Sequence, residues 1–114
     1  MSVSTTIAPP LLQLTVLPDR QRAVVALRGE LDIATVPAVE QEVAALCARG
    51  FEEVCLDLCG VTFFDSSGLR LLIRLDSRLT AEGCRFTVTP GEGAAARVLA
   101  ITRLDGRFAS PSRR

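Results

Sequence analysis

The chain has 114 residues, of which 48% are apolar and 23% charged, enough for one domain that buries about 65% of its unfolded surface. Thirteen arginines balance thirteen acidic residues and there is no lysine, so the basic excess of a nucleic-acid binder or of a protein drawn to an anionic membrane surface is missing. The chain also lacks histidine, which removes the base of Ser-His-Asp and Cys-His nucleophiles, and the missing lysine removes the Ser-Lys and Schiff-base alternatives.

No segment approaches the roughly 20 apolar residues that span a bilayer, and residues 1–10 carry neither a basic nor an apolar leader region. Membrane insertion is not expected. Cys47, Cys55, Cys59 and Cys84 fit no common zinc spacing. Three of them sit in apolar runs, where free cysteine acts as a small hydrophobe. Neither a metal nor a cofactor is expected, and the reducing cytoplasm is the expected compartment.

In chain order, residues 1–10 end in two prolines and read as a mobile tail. Leu11 to Leu17 reads as a strand with Leu12, Leu14 and Val16 on one face, and Pro18-Asp19 as a turn. Arg22 to Arg28 is a second, β-branched strand that pairs back on the first and closes at Gly29. Val36, Val39, Val43 and Leu46 recur at helical spacing and predict a helix from Val36 to Arg49. Thr35 or Val36 stands at its cap, Pro37 in its first turn, Glu40 and Glu42 near its positive end, and Gly50 at its stop. Glu53 to Leu58 alternates as a third strand, and Cys59 to Asp65 reads as a loop. Ser66 to Glu82 is the second long helix, stopped by Gly83. Cys84 to Thr89 is a strand, Glu92 to Ile101 a short third helix, and Arg107 to Ser110 a short edge strand. Residues 111–114 read as a second tail.

The order β-β-α-β-α-β-α-(β) describes an α/β domain over residues 11–110: a mixed sheet with helices packed against it, parallel where a helix intervenes. In such sheets the carboxyl ends of parallel strands and the helix starts gather on one rim. Two segments fall there, Gly29-Glu30-Leu31-Asp32 and Phe64-Asp65-Ser66-Ser67-Gly68-Leu69. The second is good N-cap chemistry, with Asp65 or Ser66 able to accept the free N–H groups of the first turn. Along the helix that follows, Gly68, Leu72, Leu75 and Leu79 form an inward stripe flanked by Leu71. Ser66, Leu69, Arg70 and Ile73 share another side, continued by Arg74 and Arg78. Apolar residues beside arginines suit a partner-binding patch; the plain alternative is that the neighbouring helix covers Ile73 and water solvates the arginines.

GELD followed some thirty residues later by DSSGL, within this element order, resembles the STAS domain family, and more narrowly its freestanding bacterial anti-sigma factor antagonists. The resemblance spans roughly Leu12 to Phe108. It implies a non-enzymatic partner-switching protein. In that scheme the unphosphorylated form binds an anti-sigma factor that is also a serine kinase, which frees a sigma factor. The kinase then phosphorylates the antagonist, and a PP2C-type phosphatase resets it. The residue modified in the family maps to Ser66, with Ser67 a second hydroxyl beside it. Asp32, Asp65, Ser67 and Gly68 flank the site, and Glu30, Leu69, Arg70 and Ile73 are the partner-binding candidates. Arg70 stands where several antagonists carry glycine. ATP and magnesium belong to the kinase, because this chain has no phosphate-binding glycine loop. STAS domains also serve as unphosphorylated scaffolds, in stress-signalling assemblies or as accessory subunits of lipid ABC transporters, and that is the alternative reading.

Overall fold

A computed structural model describes residues 3–7, as backbone, and 11–111. Five strands and three helices follow in the order β1 (Val3–Ile7), β2 (Leu12–Asp19), β3 (Arg22–Leu31), α1 (Val36–Ala48), β4 (Glu53–Phe64), α2 (Ser66–Ala81), β5 (Arg85–Thr89) and α3 (Ala94–Ile101). The strands form one sheet in chain order. β1, β2 and β3 are antiparallel neighbours, whereas β3, β4 and β5 run parallel. The parallel steps occur where α1 and α2 intervene, as crossover geometry requires.

Strand register stacks the apolar rows. Val16 lies opposite Val25, Val25 opposite Leu56, and Leu56 opposite Val88. Ala23, Val54 and Phe86 form a second row, and Leu14 and Leu27 a third. All are buried, and α1 sets Val36, Val39, Val43 and Leu46 into the same core, while α2 contributes Leu71, Leu72, Leu75 and Leu79. The inward stripes expected of both helices are therefore the ones observed. Side chains alternate along a strand and recur every three to four residues on a helix, so one apolar set can face one core.

Several expectations are corrected. Val3–Ile7 pairs with β2 as an edge strand, which replaces the tail expected there; the rest of residues 1–10, and 112–114 of the expected C-terminal tail, lie outside the described residues. The first turn is at Arg20-Gln21, not Pro18-Asp19, because Asp19 still pairs with Arg22 and Arg20 takes φ 60°. β3 does not close at Gly29 but continues to Leu31. The loop expected from Cys59 is strand: β4 runs to Phe64, following β3 through two register shifts. Glu40 and Glu42 lie beyond the first turn of α1. The last expected strand reduces to one bridge between Thr87 and Ala109.

Candidate functional site

β3 and β4 end side by side, since Leu31 lies opposite Phe64 in the parallel ladder. Neighbouring strands are about 4.8 Å apart, so Asp32 and Asp65, the next residue on each chain path, leave the sheet together on one rim. The two predicted segments are thus brought together as the topology argument expects.

Each acid is fixed by local backbone. Asp65 is the N-cap of α2, and its Oδ1 accepts the Ser67 N–H at 2.9 Å. Asp32 accepts the N–H groups of Ala34 at 2.9 Å and Thr35 at 3.2 Å through Oδ1. Its own N–H donates to Thr35 Oγ1 at 3.0 Å, while that hydroxyl donates to the Glu30 carbonyl at 3.0 Å. Thr35 is fully buried. Asp32 and Thr35 therefore tie the β3–α1 turn into a closed ring, and the hydroxyl of Thr35 turns back to β3 instead of capping α1. A carboxylate that accepts backbone N–H groups cannot swing away cheaply, because each abandoned bond costs about 0.5–1.5 kcal/mol.

Ser66 is the first residue of α2 and is exposed; Ser67, the next, is half-buried. Gly68 is buried against Phe64, and a Cβ there would stand 2.7 Å from the ring. The glycine lets the last aromatic of β4 pack under the first turn of α2, which sets the height at which Ser66 is presented. Glu30 is half-buried within β3, opposite Phe63. Leu69 is half-buried against the core, whereas Arg70 and Ile73 are exposed. Of the four partner-binding candidates, Arg70 and Ile73 thus lie open at the surface, and Leu69 serves the core as well. The neighbouring helix does not cover Ile73, which remains 38% exposed.

Two exposed apolar residues escaped the sequence reading. Ile33 is 81% exposed in the turn after Asp32, and Phe63 is exposed just before the paired strand ends. Ile33, Val36, Pro37, Ser67, Arg70 and Arg74 border a shallow depression between the β3–α1 turn and α2. The available signal was an isoleucine in a polar turn, one position from an acid already singled out. The rim as built offers an exposed hydroxyl, two fixed carboxylates, scattered apolar side chains and arginines. That arrangement suits a modifiable protein-binding face.

A family model described as "Mlab, STAS domain" matches residues 15–110. Among solved structures, the chain is similar to an anti-sigma factor antagonist from Mycobacterium paratuberculosis at 30% identity and TM-score 0.74, covering 93% of this chain and 91% of that one. It is also similar to the anti-sigma-F factor antagonist RsfB of Mycobacterium tuberculosis, 27% identical over 101 residues, or 89% of this chain and 82% of the relative. An anti-sigma-B factor antagonist of Staphylococcus epidermidis is 37% identical over 49 residues, 43% of this chain and 45% of that protein. The sheet order, the paired rim segments and the extent of these matches agree, and the chain belongs to the STAS domain family.

Proposed function

We propose that this protein is an anti-sigma factor antagonist switched by phosphorylation at Ser66. In this reading the unmodified rim binds an anti-sigma factor with serine-kinase activity, and the sigma factor held by that partner is set free. The kinase transfers the γ-phosphoryl group of its ATP to Ser66 Oγ. A new O–P bond forms, the bond to the ADP oxygen breaks, and the serine proton is released. A PP2C-type phosphatase returns the hydroxyl by hydrolysis to inorganic phosphate. The relatives named as antagonists support the first half of this reading.

The observation that carries the switch is the exposed Ser66 hydroxyl at the start of α2, beside two carboxylates whose positions are fixed by backbone hydrogen bonds. A helix start carries free N–H groups and a positive dipole end, so a phosphate there does not unfold the helix. The phosphate adds a charge of about −1.5 to −2 to a rim that already holds Asp32 and Asp65. A partner surface of acidic or apolar character then meets repulsion and an uncompensated desolvation cost. The switch needs no rearrangement of the core behind it.

The test is incubation with the cognate kinase and magnesium ATP. Wild type should gain one phosphoryl group at Ser66 and leave the complex; Ser66→Ala should stay bound. Release of Ser66→Ala at the wild-type rate would refute the assignment. The family model that matches is described as "Mlab, STAS domain", a description wide enough to support one second reading, a scaffold or transporter accessory subunit that docks through the same rim. A wild-type chain that gains no phosphate from a kinase active on another antagonist, yet still binds a partner through the rim, would establish it.

A further inference from the structure

The three arginines along α2 have different partners. Arg74 holds Glu40 of α1 through two hydrogen bonds, at 3.0 and 3.2 Å. Arg78 reaches Glu82 at 3.5 Å. Arg70, one helical turn after Ser66, donates through Nη2 to Ser66 Oγ at 3.3 Å. Among the described residues it makes no ion pair with a carboxylate. Residues four apart on a helix are neighbours, and both of these side chains are exposed.

The oxygen that Arg70 touches is the one a phosphoryl group would occupy. Phosphorus on Oγ carries three further oxygens outward into the sweep of a guanidinium whose nitrogen already reaches Oγ. Arginine's planar fork matches two such oxygens at once, and charge-assisted pairs of this kind are roughly twice as strong as neutral ones. Arg70 also borders the depression shared with Ile33, Pro37, Ser67 and Arg74, so the same side chain faces an approaching protein when it is not held.

We propose that Arg70 is a latch for phosphorylated Ser66: a single hydroxyl holds it loosely in the unmodified protein, and the phosphate captures it within the same helix. The inference rests on Ser66 being the phosphorylated residue. Phosphorylation then alters the rim twice. It adds a dianion beside Asp32 and Asp65, and it withdraws from the partner side the one α2 arginine without a carboxylate partner among the described residues.

The test uses full-length protein with phosphoserine installed genetically at position 66, so that no kinase is needed. The second phosphate ionisation, ordinarily near pH 6, is followed by phosphorus NMR in wild type and in Arg70→Gln. The latch lowers that pKa in wild type by about 0.3 unit or more relative to Arg70→Gln at about 0.05 M salt, and the gap narrows in about 1 M salt, where the screening length falls to about 3 Å. Coincident titration curves at low salt, or a gap unchanged in high salt, would overturn the latch. Failure of a kinase to modify Ser66 in the separate ATP assay would instead strike the functional reading, so the two failures are distinguishable.

Discussion

Gly29→Ala is the substitution whose cost follows most directly from the geometry of the rim. Gly29 has φ +114°, and a Cβ added there would stand 2.0 Å from the Leu11 carbonyl oxygen. That oxygen accepts the Glu30 N–H at 2.7 Å. No side-chain rotation relieves the overlap, because the obstacle is backbone. The positive φ costs an alanine about 1–2 kcal/mol. Losing the Glu30–Leu11 bond costs about 0.5–1.5 kcal/mol, and displacing the start of β2 costs about 1–3 kcal/mol, as overpacking does. The total is about 2.5–6.5 kcal/mol, a large part of the roughly 5–15 kcal/mol that stabilises a domain. For a chain of this size that lowers Tm by about 10–25 °C. Calorimetry reads the shift directly, and Gly50→Ala supplies the control. Gly50 also has positive φ, +99°, but nothing lies within 4 Å of its added Cβ, so only the backbone component of the cost remains. A Gly29→Ala protein that melts within about 3 °C of wild type, or no lower than Gly50→Ala, would show that the contact with the Leu11 backbone carries no such cost.

Asp65→Ala removes the acceptor for the Ser67 N–H and should cost about 1 kcal/mol in urea unfolding, while Asp65→Asn should cost much less; equal losses would assign Asp65 a role through charge instead of capping. Ser66→Asp should weaken kinase binding at least about tenfold, or about 1.4 kcal/mol, with Tm unchanged, and wild-type affinity would contradict the electrostatic switch. The Cys59 thiol is exposed, yet its hydrogen bond to the Asp57 carboxylate, followed by desolvation and the Asp57 charge, pushes its pKa up to about 11. The thiolate is the nucleophile, so alkylation of Cys59 should be slow at neutral pH and climb about tenfold per pH unit until the pKa is approached. Asp57→Asn should accelerate it near pH 8, and an unchanged rate would show that Asp57 does not govern the thiol.

Much of this fold was legible because period and core agree. The valines of α1 and the leucines of α2 repeat at helical spacing and all enter one core, and Leu12, Leu14 and Val16 alternate as β2 requires. The failures have physical causes. Residues 59–64 hide a strand because Cys59, Gly60, Thr62 and Phe63 are exposed and two register shifts break the alternation. Pro18 looks like a turn former but sits in β2, and the true turn uses Arg20 in a conformation for which its sequence gives no glycine or asparagine signal. Val3–Ile7 is edge strand set by pairing with β2, and two following prolines disguise it. At the rim, topology predicted that the segments carrying Asp32 and Asp65 would lie on one edge of the sheet. It could not predict that Asp32 holds the β3–α1 turn through Ala34 and Thr35, because that ring depends on backbone geometry. Nor could it separate Arg70 from Arg74, whose partner Glu40 belongs to another helix.

In the proposed switch, one exposed hydroxyl at the start of α2 decides whether this protein binds its partner. Calorimetric titration of the anti-sigma kinase, without nucleotide hydrolysis, against the unmodified protein and the protein carrying phosphoserine at position 66 tests it most directly. The phosphorylated form should bind at least about a hundredfold more weakly, or about 2.7 kcal/mol, with both forms melting at similar temperatures. Equal affinity of the two folded forms would contradict it.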